Sequence, residues 1–203
     1  MLIEDFLKQF VEGYLFGDLD AMSRVPAPAP GGYGACGFSM VLVTLAGSEL
    51  LGSLVHPTPF DKRSGDLYFE TFWKEYLYPA DPKRRALSAT IRGLIRNGLA
   101  HTFVTKPSIV VSTQREGTRN HLGKGEEGEL YIDALVLADD FRRAYRSRIA
   151  PMLTIPDRRG ALQLQFDRIQ RTYSEDSAKY TGEIGNLPAV DPGELYTFIP
   201  SGQ

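Results

Sequence analysis

The chain is poor in the residues that build metal and disulfide chemistry. It holds one cysteine, Cys36, and three histidines among 203 residues. A single thiol excludes an intrachain disulfide and any zinc site made of several thiolates. His56, His101 and His121 lie far apart with no His-x3-His pair, so no metal and no cofactor are expected. A strong charge of one sign is also missing. The net charge of −2 argues against a general polyanion binder. The Pro/Gly-rich stretch 25–37 lacks the Gly-Lys-Ser/Thr of a phosphate loop, and Ser39 and Ser48 lack a Gly-x-Ser-x-Gly setting. Glu4 and Asp5 stand where a secretory leader carries positive charge. The longest apolar stretch, 38–55, is broken by Ser48, Glu49 and Ser53, and reads as a buried core helix too short and polar to span a bilayer. These absences point to a cytoplasmic protein with no membrane partner.

Hydrophobic residues make up 42% and charged residues 24%, the mix of a globular chain able to bury one sizeable core. The charge is unevenly spread. Residues 81–125 carry nine Lys/Arg and two Asp/Glu, a balance of +7, between flanks of −5 and −4. Such a segment attracts phosphates locally, or else solvates a helix face and pairs with the acidic remainder.

Apolar spacing of three and four predicts helices through most of the chain. Leu2, Ile3, Phe6, Leu7, Phe10, Val11, Tyr14 and Leu15 form the first stripe, ending or kinking at Gly17. A second helix is expected over 40–54 with Ser39 as cap. A third starts at Asp66, and its thick aromatic face, Phe69, Phe72, Trp73 and Tyr76, belongs in the core. Pro79 and Pro82 break it, and a helix from Lys83 carries Leu87, Ile91, Leu94, Ile95 and Leu99 to about 100–103. The period then changes. Residues 107–113 are a β-branched run and 129–132 a second short strand candidate, together read as a β-hairpin insertion over about 107–132. Asp133 is positioned to cap another helix, and 159–173 form one more. The expected fold is mainly α: a bundle of four to five helices over 1–173 with a hairpin insertion, and a loosely docked tail over 174–203.

Chemistry concentrates in Ile91-Arg92-Gly93-Leu94-Ile95-Arg96-Asn97-Gly98-Leu99-Ala100-His101. A guanidinium holds an anion, and an imidazole moves a proton near neutral pH. Arg92 and Arg96 are four apart and share a face, as do Asn97 and His101. Arg96 and His101 are five apart, roughly 140° around an ideal helix, so they converge only if the helix end unwinds near Gly98 or two copies meet across a dyad. The plain alternative pairs Arg96 with Glu49, the one acid of the apolar helix, and makes His101 a helix C-terminal cap. Glu49 needs a partner in either case, Arg92 or Arg96.

Arg96-Asn97-Gly98-Leu99-Ala100-His101 resembles the Arg-x4–6-His motif of HEPN domains, including the polar residue after the arginine. That resemblance implies a helical bundle, usually homodimeric, and for many members a metal-independent endoribonuclease of defence or toxin–antitoxin systems. It implies catalytic roles for Arg96, Asn97 and His101. Arg92 lies outside the motif and is added as a substrate-binding residue. RNA is the expected partner, with an antitoxin or a nucleotidyltransferase as possible protein partners. Relatives without activity serve as interaction modules, and that is the alternative function. A third reading, a ligand sensor, needs an apolar pocket between Phe38, Trp73 and Tyr76. His56 sits in a turn before Pro57 without an acidic neighbour, His121 falls in the charged hairpin loop, and Cys36 has no adjacent histidine to activate it.

Overall fold

In a computed structural model, residues 1–26, 35–93, 109–113, 121–125, 127–178 and 180–186 are described. Of these residues, 73% are helical. The first apolar stripe produces one continuous helix, α1, in three pieces: Ile3–Phe6, Leu7–Leu15 and Phe16–Ser23. Gly17 neither ends it nor stops its apolar face, because Phe16 and Leu19 are buried as well. The next helix, α2, spans Gly37–Val55, three residues earlier than Ser39 would set, and Cys36 precedes it without a side-chain cap. Helix α3 comprises Gly65–Thr71 and Phe72–Leu77. At its end the turn widens, and the amide of Tyr78 reaches back five residues to the carbonyl of Trp73 at 3.0 Å.

Helix α3 ends at Leu77, ahead of Pro79 as expected, and the next helix starts at Pro82, one residue before Lys83. Pro82 lies at the first turn of α4, Pro82–Ala86, where its missing amide is no loss, and the Asp81 carboxylate caps the turn through the Arg84 amide. The short α5 covers Ser88–Ile91. After the sheet, Asp133 caps α6 as expected, accepting the amides of Leu135 at 2.9 Å and Val136 at 3.0 Å. Helix α6 runs through Ala134–Ala144 and Tyr145–Ile149, and a 3-10 turn, Ala150–Thr154, follows. The last long helix, α7, covers Pro156–Ala178 and so exceeds 159–173 at both ends. A short α8, Thr181–Gly185, lies within the expected tail. The chain divides into two compact units, Met1–Arg168 and Ile169–Gln203.

The β-hairpin expectation requires correction. Strands β1 (Ile109–Ser112), β2 (Gly123–Lys124) and β3 (Leu130–Asp133) form a mixed sheet in the order β1-β3-β2. The two expected strands are neighbours, but they pair in parallel, with Val110 opposite Tyr131 and Val111 opposite Ile132. The antiparallel partner of β3 is the two-residue β2, through Gly123–Tyr131 and Lys124–Leu130. Side-chain pattern reports which residues pair, not the direction in which they run. The turn between β2 and β3 closes through the Gly125 amide on the Glu129 carbonyl at 2.7 Å and requires glycine at 128, where φ is +93°.

Helix α2 is the central element and packs against α1, α3 and α6. Eleven of its nineteen residues are buried. By length and composition it matches a membrane span, with a mean hydropathy of 1.7, so it is neither too short nor too polar on those measures. Its burial is that of a core helix surrounded by others. Aromatic rings fill the space beside it. Phe141 stands edge-on to Phe16 and tilted to Phe72, and Tyr145 is edge-on to Phe16. The predicted core face is buried at Phe69, Phe72 and Trp73, the last fully enclosed with its indole N–H on the Arg84 carbonyl at 2.8 Å. Trp73 and Phe38 therefore do not frame a sensor pocket: the indole is in the core, and Phe38 is exposed.

Candidate functional site

Arg96, Asn97 and His101 lie outside the described residues, which stop at 93 and resume at 109. Arg92 is described. It follows the last turn of α5, its side chain is largely covered, and its guanidinium forms an ion pair with Asp66 of α3. An aspartate of α3 thus answers the charge of Arg92. Among the described residues, the basic side chains of α4 differ in their surroundings. Arg84 contacts Asp81 at 3.4 Å and Asp140 at 3.6 Å, whereas Lys83 and Arg85 are exposed, Arg85 donating to the Pro79 carbonyl at 3.1 Å.

The described residues assemble a second set of titratable groups that sequence reading left apart. His121, expected in a charged hairpin loop, is 3% exposed. Its Nδ1 accepts the Asp133 backbone amide at 3.2 Å. An amide only donates, so the neutral ring carries its proton on Nε2. Nε2–H then donates to the Tyr78 hydroxyl at 3.3 Å, and that hydroxyl donates to Asp140 Oδ2 at 3.0 Å. Arg143 of α6 stands 3.3 Å from the other Asp140 oxygen, and the Arg84 guanidinium lies over the Tyr78 ring, 5.2 Å from its centre. Each group in the line has one direction in which to donate, so the chain is fully ordered. It ties the sheet insertion, through His121 and Asp133, to the ends of α3 and α4 and to α6.

Burial pushes the His121 imidazole down to about 3, with Arg84 adding to the effect. Burial also raises the Tyr78 hydroxyl well above its ordinary value, with Asp140 next in weight, so it remains a donor. Asp140 is raised by its own burial against the pull of Tyr78, Arg143 and Arg84. A histidine this weakly basic is a poor proton acceptor near pH 7. The constellation is a docking device and not an acid–base site. Its pH signature is definite. The unfolded histidine binds a proton below about pH 6.5 and the folded one only near 3, so stability is full above 6.5 and declines as pH falls between the two. Asp140 acts in the opposite sense, because a raised carboxyl gains a proton more readily when folded. The expected net result is a loss of up to roughly 1.4 kcal/mol per pH unit across that window. Urea midpoints measured from pH 7 to 4 on the parent and on His121→Gln, which donates and accepts without titrating there, check it. Parallel declines would show that some other group governs acid stability.

Two signals in the sequence pointed toward this network and were insufficient. Tyr78 follows the aromatic face directly, and Asp139-Asp140 interrupts an otherwise apolar stripe. Neither indicates a partner 43 or 62 residues away. His56 sits in its turn as expected, with Nδ1 accepting the Thr58 amide at 3.2 Å. Among the described residues no group of three or more His, Cys, Asp or Glu is arranged to hold a metal ion. No protein-family model matches the chain, and no curated protein or solved structure is significantly similar to it.

Proposed function

We propose that this chain is a HEPN-like, homodimeric, RNA-binding bundle that cleaves RNA without a divalent metal. The observation that carries the reading is the position of Arg96-Asn97-Gly98-Leu99-Ala100-His101 in the sequence: it follows the basic helix α4 and the short α5, inside the net-positive segment 81–125 of a mainly helical chain. The neutral, buried His121 supports the assignment by leaving His101 as the histidine suited to proton transfer at pH 7 within that segment.

In this mechanism the ribose 2′-hydroxyl attacks its own phosphate. His101 accepts the hydroxyl proton as the O2′–P bond forms. The P–O5′ bond breaks, and the leaving 5′-oxygen takes a proton from the imidazolium of His101 in one protomer or the other. Arg96 holds the phosphate and stabilises charge growing on its equatorial oxygens. Asn97 orients His101 or donates to a phosphate oxygen, and Arg92 contacts the substrate once Asp66 yields it. The products are a 2′,3′-cyclic phosphate and a 5′-hydroxyl. The expected outcome is cleavage of RNA in EDTA, abolished at a linkage whose 2′-hydroxyl is replaced by hydrogen. Product ends read by mass spectrometry check it. A 3′-hydroxyl product, or cleavage of the deoxy linkage, would overturn the mechanism.

The second reading is a non-catalytic interaction module, the partner of a nucleotidyltransferase or of a defence or antitoxin component. The Arg92–Asp66 and Arg84–Asp140 pairs favour it, since both engage basic residues of segment 81–125 with acids of the same chain. RNA that binds without being cut, at salt-dependent affinity, would select it over the nuclease.

A further inference from the structure

A pocket of about 240 Å³ opens between the end of α2, the end of α3, the 3-10 turn and the first half of α7. Its floor is apolar, made by Leu54 and Val55 of α2, Met152, and Leu162 of α7. Its polar lining is entirely basic or neutral: Arg158, Arg168, His56, Tyr76 and Gln165, with no carboxylate. A cavity that pairs an apolar floor with two guanidiniums and no acid suits an anion that has a greasy part.

Three features give this pocket donors that internal contacts leave available. Arg158 is exposed and forms no ion pair among the described residues. His56 is 8% exposed, and the Thr58 amide occupies its Nδ1, which places the proton of the neutral ring on Nε2. No described residue accepts that Nε2–H. Tyr76 is held protonated, its hydroxyl raised by burial and then by Glu75, with Arg158 opposing. Gln165 fixes the geometry. Its amide nitrogen donates to the carbonyls of His56 at 2.7 Å and Thr58 at 2.5 Å, and its oxygen accepts the Phe60 amide at 3.1 Å. The turn that carries His56 is thereby pinned to α7, and the donor is set in place before any ligand arrives.

We propose that this pocket binds a small organic anion, a phosphate or carboxylate joined to an apolar body, with the anionic group at Arg158 and Tyr76 and the apolar body over Leu54, Val55 and Leu162. Size sets the scale of the occupant. Drug-sized sites enclose about 300–1,000 Å³, so this one takes a compact molecule. Arg158 and Arg168 stand ten residues apart on α7, roughly 15 Å along its axis. The pocket is therefore a trough with a guanidinium at each end, and one head group engages one of them at a time. The site uses no residue of the Arg96–His101 motif, so it stands or falls independently of the nuclease reading.

Phenyl phosphate and benzoate are suitable probes, with inorganic phosphate and phenol as half-probes that carry only one of the two features. Titration into the full-length protein, followed by the His56 ring proton in NMR spectra, is expected to give a Kd in the millimolar range or tighter for at least one full probe. The stronger of the two identifies the head group. Inorganic phosphate and phenol are expected to bind at least tenfold more weakly. Arg158→Gln, an exposed change that leaves the core intact, is expected to weaken the full probe at least tenfold, whereas Arg24→Gln leaves it unchanged. Absence of binding by both full probes, equal binding by inorganic phosphate, or equal binding by Arg158→Gln would each overturn the proposal.

Discussion

Gly52→Ala is expected to destabilise the protein by about 3 kcal/mol or more, enough to consume a large share of the 5–15 kcal/mol typical of a folded domain. A methyl group at Gly52 would stand 1.9 Å from the Tyr68 carbonyl oxygen and 2.6 Å from its carbon. Both are backbone atoms of α3, so no rotamer change relieves the overlap; the two helices must separate. Alanine recovers at most about 1 kcal/mol through its better helix propensity. Gly47 is an internal control on the same helix. Its added methyl would meet Phe141 Cζ at 2.7 Å and Leu15 Cδ1 at 2.8 Å, both side-chain ends. Gly47→Ala is therefore expected to cost about 1–2 kcal/mol, since rings and branches move where main chain does not. Urea denaturation of the parent and the two variants ranks them. Equal or greater stability of Gly52→Ala would mean that α2 and α3 do not approach as closely as described.

His101→Ala is expected to lower RNA cleavage by 10²–10⁴-fold, the usual range for a positioned general acid or base. If the two protomers of a dimer supply one proton acceptor and one donor, the variant removes both, and the loss falls at the upper end. Arg96→Ala is expected to lose about 10²–10³-fold, the range for removing one group that stabilises transition-state charge. Each variant needs a matched melting temperature, because a fall in activity with a fall in stability says nothing about chemistry. Equal cleavage by parent and His101→Ala would remove His101 from the mechanism. A parent protein that binds RNA yet leaves it intact would move the assignment to the interaction module.

Much of the bundle was legible from spacing. The aromatic positions Phe69, Phe72 and Trp73 recur on one helical face and are buried together, and Asp133 stands where an apolar stripe begins and caps it. These are local features, decided within one or two turns. What escaped depends on distance along the chain. His121 is flanked by Asn120 and lies in a charged stretch, and its partners in the core, Tyr78 and the Asp133 amide, are 43 and 12 residues away. The direction of β1 relative to β3 is set by how the chain returns, and β2, a glycine and a lysine, carries no strand propensity at all. Asp66 partners Arg92 across helices, which no periodicity encodes. For the candidate site, the motif 96–101 was readable as a string, whereas the pocket at Arg158 draws on four elements that come together only in three dimensions.

Asp133 joins the insertion to the bundle without a linker. One residue ends β3, gives its amide to His121 and receives the first amides of α6 on its carboxylate. Such a joint behaves as a weld. Force or thermal fluctuation that lifts the insertion must also fray the first turn of α6, so the backbone protons of Asp133, Leu135 and Val136 should trade with deuterium in step, as one cooperative piece.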